Sequence, residues 1–317
     1  MPDTDQCLAL VFRHPVGQKP FRALRAIEIA THCVPALEIC VPAYRELLDY
    51  RLVDEGALPE ALCAAWDTPD MLGRRFALLQ PASGAPVYLR FIETGNSGGY
   101  WPPVTQGWIA TEVLAEDPDA LVDILSGSGF RHIGGPANLY PGAKSARAMQ
   151  MAGPAGELMY FTRILPGGSR FGLKGAKSFV DRPFIMVVGG TSMARITEFY
   201  AGALGLRVTE SAPFVIGQMS RVLGVRPHTA YPVSLARIPG RSFLLELEEL
   251  PQGIPLRNRP DGQLPEGLAM VSFTSAKLSS LALDFRAEPR PVDLPPYHGR
   301  DVAVVEGPAG EWLELID

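Results

Sequence analysis

The chain has 317 residues, 47% of them hydrophobic and 20% charged, with a net charge of −5. That length allows two ordinary domains, and that balance supports a sizeable core and argues against disorder. An acidic chain with no basic stripe is a poor match for nucleic acid. The four cysteines, Cys7, Cys33, Cys40 and Cys63, crowd into the first part of the chain without a CxxC pair. Free thiols in a reducing cytoplasm are therefore expected, rather than disulfides or a zinc site. The N-terminal stretch lacks a basic start followed by an apolar run, so no signal peptide is expected. No apolar run approaches the ~20 residues of a membrane span.

In chain order, residues 1–20 read as an extension. Arg25 to Thr31 alternates like a strand, a helix is expected over 36–48, and residues 58–73 look helical or irregular. Phe76–Leu79 and Val87–Ile92 are predicted strands. After the turn-rich GNSGGYWPPVTQG the pattern restarts: Trp108–Val113 as a strand, Asp119–Leu125 as a short helix, then strands at 129–133, 145–151 and 157–164. Residues 166–181 are Gly-rich and basic and read as a linker. Beyond it come a strand at 184–188, a helix at 191–204 and a short helical insert at 213–224. Strands follow at 233–238 and 242–248, and a last unit starts near 268. The expected division is an extension at 1–20, domains at 21–165 and 182–317, and the linker between them.

Two phrases occur twice. Gly153-Pro154-Ala155-Gly156-Glu157 returns as Gly307-Pro308-Ala309-Gly310-Glu311, each time opening an alternating strand, which places Tyr160 and Glu314 at matching positions. The helix ending YRELLDYRLV is matched by FYAGALGLRV, with Tyr44 against Tyr200 and Leu48 against Leu204. A shift of about 156 residues aligns the halves, the mark of a duplication.

A helix closing in FY…LGLRV, then strands, then GPxGExLEL resembles the vicinal oxygen chelate superfamily, over nearly the whole chain. That family includes glyoxalases, bleomycin-type resistance proteins, methylmalonyl-CoA epimerases and extradiol ring-cleavage dioxygenases. The resemblance implies an α+β fold of four βαβββ units forming two glyoxalase/dioxygenase-like domains, whose mixed sheets curl around pockets. It also implies that functional side chains come from the first and last strands of each unit. Those positions fall on Glu28 and Arg90, then Trp108 and Tyr160, in the N-terminal half. In the C-terminal half they fall on Phe184 and Glu246, then an apolar residue within Leu268–Met270, and Glu314. An extradiol iron site would need two His and a Glu, and only the Glu is there. The five histidines (His14, His32, His132, His228 and His298) form no HxH or HxxxH pair. No metal ligand and no cofactor are therefore expected, with a divalent metal left open although most of its usual ligands are missing.

Candidate chemistry rests on carboxylates. Glu246 and Glu314 in one apolar pocket would serve as acid and base, assisted by Tyr297 and His298. Alternatively, each carboxylate pairs with a nearby cation and His298 is an exposed turn residue. Glu28, Arg90, Trp108 and Tyr160 would bind substrate in the N-terminal pocket, or form an ion pair and core. Phe184 and Arg257 are further substrate contacts, with Arg257 suited to a carboxylate or phosphate. No GxGxxG or GxxxxGK[ST] occurs, so no nucleotide is suggested. The expected function is metal-independent proton transfer, by an isomerase or lyase, on an apolar or aromatic carbonyl compound. The alternatives are a ring-cleavage dioxygenase relative and a protein that sequesters a hydrophobic small molecule. Strand edges in this family often pair across dimers, so a homodimer is open to this chain.

Overall fold

Four versions of one unit, a strand, a helix and further strands, build the chain. The computed structural model describes residues 23–95, 104–167, 169, 171–215, 220, 226, 229–240 and 243–317. The expected extension at 1–20, with His14, lies outside them, as does His228. The first unit holds β1 (Leu24–Val34), α1 (Leu37–Leu47), β2 (Tyr50–Ala57), α2 (Glu60–Trp66), β3 (Arg75–Pro81) and β4 (Tyr88–Glu93). In the second are β5 (Gly107–Ala115), α3 (Pro118–Leu125), β6 (Arg131–Asn138), β7 (Arg147–Ala152) and β8 (Leu158–Arg163). β9 (Val180–Gly190), α4 (Met193–Thr197), β10 (Arg207–Val208), β11 (Ala212–Val215), β12 (Ala230–Ile238) and β13 (Phe243–Glu249) make the third. The fourth has β14 (Gly267–Ser275), a single 3-10 turn at Leu278–Ser280, then β15 (Arg290–Val292), β16 (Arg300–Glu306) and β17 (Trp312–Ile316). Among the described residues no helix is long and apolar enough to cross a membrane.

Local structure departs from expectation in three places. The tail of YRELLDYRLV is not helix but the start of β2, because α1 stops at Leu47 and Asp49 turns the chain in a left-handed conformation (φ 55°). The insert at 213–224 is expected to be helical; its first residues, Pro213 to Val215, instead pair with β12 as β11, and most of the remainder lies outside the described residues. The helix expected at 191–204 is α4 followed by a π-helical turn over Glu198–Ala203.

Each unit closes on itself by parallel pairing of its first and last strands: β1 with β4, β5 with β8, β9 with β13 and β14 with β17. That leaves one free edge on every first strand, and these edges pair antiparallel, β1 with β14 and β5 with β9. Two curled mixed sheets result. One runs β15-β16-β17-β14-β1-β4-β3-β2; the other runs β10-β12-β13-β9-β5-β8-β7-β6, with β11 added beside β12. The sheets thus cut across the division at 166–181. The first unit shares a sheet with the last, and the two middle units share the other.

Sequence-adjacent units are tied differently, by the repeated turns. Tyr44 of α1 donates to Glu157 Oε1 at 2.8 Å, and Ala155 N donates to Glu157 Oε2 at 2.9 Å. Tyr200 donates to Glu311 Oε1 at 3.0 Å, with Ala309 N on the other oxygen at 2.8 Å. Both glutamates are buried. The first glycine of each GPAGE is required by crowding: a Cβ on Gly153 would lie 2.0 Å from Glu157 Oε1, and one on Gly307 would lie 2.1 Å from Glu311 Oε1. Helix starts repeat as well. The α1 N-terminus donates from Leu37 N to Glu93 at 3.2 Å, and the α4 N-terminus donates from Met193 N to Glu249 at 2.7 Å.

Burial raises the carboxyls of Glu157 and Glu311 from 4.5 to about 7, against the hydrogen bonds that favour their ionised forms. Below pH 4.5 both folded and unfolded chains hold these protons. Between pH 4.5 and about 7 the unfolded chain releases them and the folded chain keeps them. Stability therefore falls as pH rises through this window, by up to about 1.4 kcal/mol per pH unit for each group. Urea unfolding at pH 5 and pH 7 is expected to show this loss, and Glu157→Gln to reduce the slope by one group's share. An identical slope in the variant would refute the assignment.

Candidate functional site

The strand registers bring four positions together at the centre of each sheet. In the eight-stranded sheet Thr31 lies beside Arg90 and Ser272 beside Glu314. In the nine-stranded sheet Val187 lies beside Glu246 and Glu112 beside Tyr160. These two quartets are equivalent by topology, but their contents differ in kind.

The first quartet satisfies itself. Glu314 accepts from Trp66 Nε1 at 2.5 Å, from the Tyr297 hydroxyl at 2.9 Å, from Arg90 at 3.5 Å and from Ser272. Arg90 also donates to the Tyr297 hydroxyl, and to Thr31 Oγ1 at 2.9 Å. Its guanidinium lies 4.6 Å from the Trp66 ring centre. Burial opposes the Arg90 charge, but Tyr297 and Glu314 outweigh it and hold its pKa above the ordinary value. Arg90, Tyr297 and Glu314 are 2%, 0% and 0% exposed. The end of α2 and the segment before β16 plug this concave face, joining an apolar cluster that includes Ile29, Phe76, Met270 and Ile316. Glu314 and Tyr297 are therefore parts of a packed polar core and do not face a substrate pocket.

Several other expected site residues are placed elsewhere. Glu28 pairs with Arg300, not Arg90, and accepts from Thr274 at 2.9 Å. Trp108 donates to the Trp312 carbonyl at 2.8 Å and packs between the sheets, because β5 is bulged just after it. Arg257 donates to the carbonyls of Trp108 and Leu268 (2.6 Å to the latter) and pins two first strands. His298 is exposed on a left-handed turn (φ 53°) beyond Tyr297.

The second quartet opens on a cavity of about 150 Å³. Glu112, Thr162, Phe184 and Glu246 line it from the sheet, and Phe214 from β11. Ser169, Phe171 and Leu173, within the expected linker, lie over it. Ser169 Oγ accepts from Phe171 N at 3.2 Å and Leu173 N at 3.1 Å, fixing a turn whose Phe171 and Leu173 complete the apolar wall. Tyr160 belongs to the apolar cluster on this face, with Val187, Tyr231 and Val233. Thus Glu246 and Phe184 share the cavity wall, with Tyr160 beside it, whereas Glu246 and Glu314 lie in different sheets.

Two residues here were not foreseen. Glu112 is the single charge in the apolar strand WIATEVLA, which was the available signal. Glu248 lies two residues beyond Glu246 on the same face. Desolvation pushes the Glu112 carboxyl up to about 8, helped by the charge of Glu246 and opposed by the Thr162 hydroxyl, which donates to it at 2.5 Å. Glu246 is raised by burial, and a hydrogen bond from Glu248 partly offsets this. Glu248 is raised well above the ordinary range by burial and then by the Glu246 charge. Burial thus favours the neutral acid at Glu112 and Glu248, and the hydrogen bond from Glu248 makes Glu246 the group best placed to ionise.

Neither quartet fits a zinc or iron site. One has a guanidinium at its centre and the other offers two carboxylates, a phenol and a valine; no imidazole is present in either. Among the described residues no group of three or more His, Cys, Asp or Glu is arranged to hold a metal ion.

No protein-family profile and no curated protein matches the sequence. Solved structures do match in shape. Glyoxalase I from Zea mays superposes with a TM-score of 0.59 at 14% identity, covering 92% of each chain. A Bacillus subtilis protein provisionally called a dioxygenase superposes with a TM-score of 0.61 at 12% identity, covering 93% of this chain and 86% of its own. The parallel closure of each unit, the antiparallel joining of first strands and these superpositions agree: the chain has the four-unit, two-sheet fold of the vicinal oxygen chelate superfamily.

Proposed function

We propose that this protein is a small-molecule enzyme that moves a proton next to a carbonyl group, as an isomerase or lyase, without a metal. The observation that carries this reading is the pair Glu112 and Glu246, two carboxyls lining one apolar cavity and interacting electrostatically. An acid and a base near neutrality are what proton transfer at a carbon acid requires. Glu246, whose ionised form the Glu248 hydrogen bond favours, would take the proton from carbon. Glu112, still protonated at pH 7, would donate to the carbonyl oxygen as it gains charge. The wall of Phe171, Leu173, Phe184 and Phe214 suits an apolar or aromatic body and keeps water from the reacting carbon. The donor sets of both quartets count against the dioxygenase reading. Sequestration without chemistry is the second reading, because Ser169, Phe171 and Leu173 close over the same cavity.

Solvent deuterium exchange into a panel of small aryl ketones, followed by NMR, separates these readings. Exchange at the carbon next to the carbonyl is expected, and Glu246→Gln should lower its rate by about 10²–10⁴. Tight binding with no exchange above buffer would favour sequestration and refute the enzyme. Activity should fall above about pH 8, where Glu112 loses its proton, and Glu112→Gln should remove that alkaline limb along with most of the rate. Glu314→Gln serves as the contrast. It leaves buried Arg90 without its counter-charge and should cost about 3–5 kcal/mol of stability, while folded variant at low temperature keeps its exchange rate. Loss of exchange in folded Glu314→Gln would return the chemistry to the eight-stranded sheet.

A further inference from the structure

The nine-stranded sheet carries one feature that proton transfer leaves unused. Glu248 Oε1 is buried and has no hydrogen-bond partner, in a residue only 1% exposed. It lies on the cavity side of β13. Glu246, two residues before it, lines the cavity, and so does Val233, its register partner on β12. The Tyr231 hydroxyl, two residues from Val233 on the same face, is likewise buried without a partner. Unmatched buried acceptors cost free energy, and a ligand that donates to them recovers it. No Lys, Arg or His is among the described residues lining the cavity, while Glu112 and Glu246 are. Tyr140, Phe171, Phe184 and Phe214 supply ring faces and edges around it.

An anionic ligand would meet carboxylates here with no cation among the described lining residues to neutralise it. A cationic ammonium would meet carboxylate oxygens and aromatic faces, both of which attract it. We infer that the cavity takes a single-ring compound carrying a protonated amino group, with the ammonium donating to Glu246 and to the unpartnered Oε1 of Glu248 and the ring held by Phe171, Phe184 and Phe214. The size agrees, since a cavity of about 150 Å³ accepts one benzene-sized ring. This inference deepens the reading of the same site as a proton-transfer enzyme and names its substrate class, an amino-substituted aromatic carbonyl compound.

Three probes of equal size and different charge test it without turnover: benzylamine, benzyl alcohol and benzoate, titrated into the full-length protein by calorimetry at pH 7. Benzylamine is expected to bind at least tenfold more tightly than benzyl alcohol, and benzoate not at all. Glu248→Gln should abolish the tenfold preference while leaving benzyl alcohol affinity within about twofold. If the variant fails to fold, the probe series on the wild-type chain decides alone. Benzoate binding as well as benzylamine, an amine no better than the alcohol, or no probe binding would each overturn the inference. Because no chemistry is read, its failure is distinct from failure of the enzyme proposal, which stands or falls on deuterium exchange.

Discussion

The free edge of each first strand is the constraint from which the rest of the structure follows. Parallel pairing with the last strand of its own unit uses one edge of β1, β5, β9 and β14. An unpaired edge in a buried strand would leave a row of backbone donors and acceptors without partners, so the remaining edges must meet another strand. They meet each other. Antiparallel joining makes two eight- or nine-stranded curls from four small units, and sets the first and last strands of two units around one centre. Both quartets exist because of that joining.

One geometry then holds two opposite solutions. In the eight-stranded sheet every polar group of the quartet finds a partner within it or in Trp66 and Tyr297, giving a closed network around one ion pair. Such a network specifies a rigid core, because each member holds the next in place and removing one strands another. In the nine-stranded sheet Glu112 and Glu246 line one cavity, with Glu248 beyond Glu246 on the same face and no cation among the described lining residues. Their unmet hydrogen-bonding capacity is a cost in stability that a packed core would not carry, and it is borne at the sheet where a pocket remains open. The duplication thus separates a structural copy from a candidate catalytic copy.

The sequence made the units legible but not their partners. The four last-strand positions, Arg90, Tyr160, Glu246 and Glu314, all fall in the quartets, because those strands are short and two of them are fixed at one end by the GPAGE turn. The first-strand positions all fall three to four residues too early, or two to four in the last unit: Glu28 for Thr31, Trp108 for Glu112, Phe184 for Val187, and Leu268–Met270 for Ser272. First strands are 9–11 residues long, and β1 and β5 carry register shifts that alternation cannot reveal. The choice of sheet partner was invisible for a related reason: all four first strands are apolar and present equivalent edges. Glu246 and Glu314, expected in one pocket, therefore lie at equivalent positions of different sheets.

The pairing of β1 with β14 also sets a timetable for the chain as it leaves the ribosome. β5 and β9 belong to consecutive units, so the nine-stranded sheet can close while the last unit is still being made. β1 must wait, since Leu24 pairs with Ser275 and the backbone between them spans most of the protein. During that wait its apolar edge is exposed, a template for pairing with another nascent chain. The Tyr44–Glu157 clamp holds α1 of the first unit against the second in the meantime. The first GPAGE turn so acquires a temporal role: it holds an incomplete half-sheet against a finished one until β14 arrives to complete it.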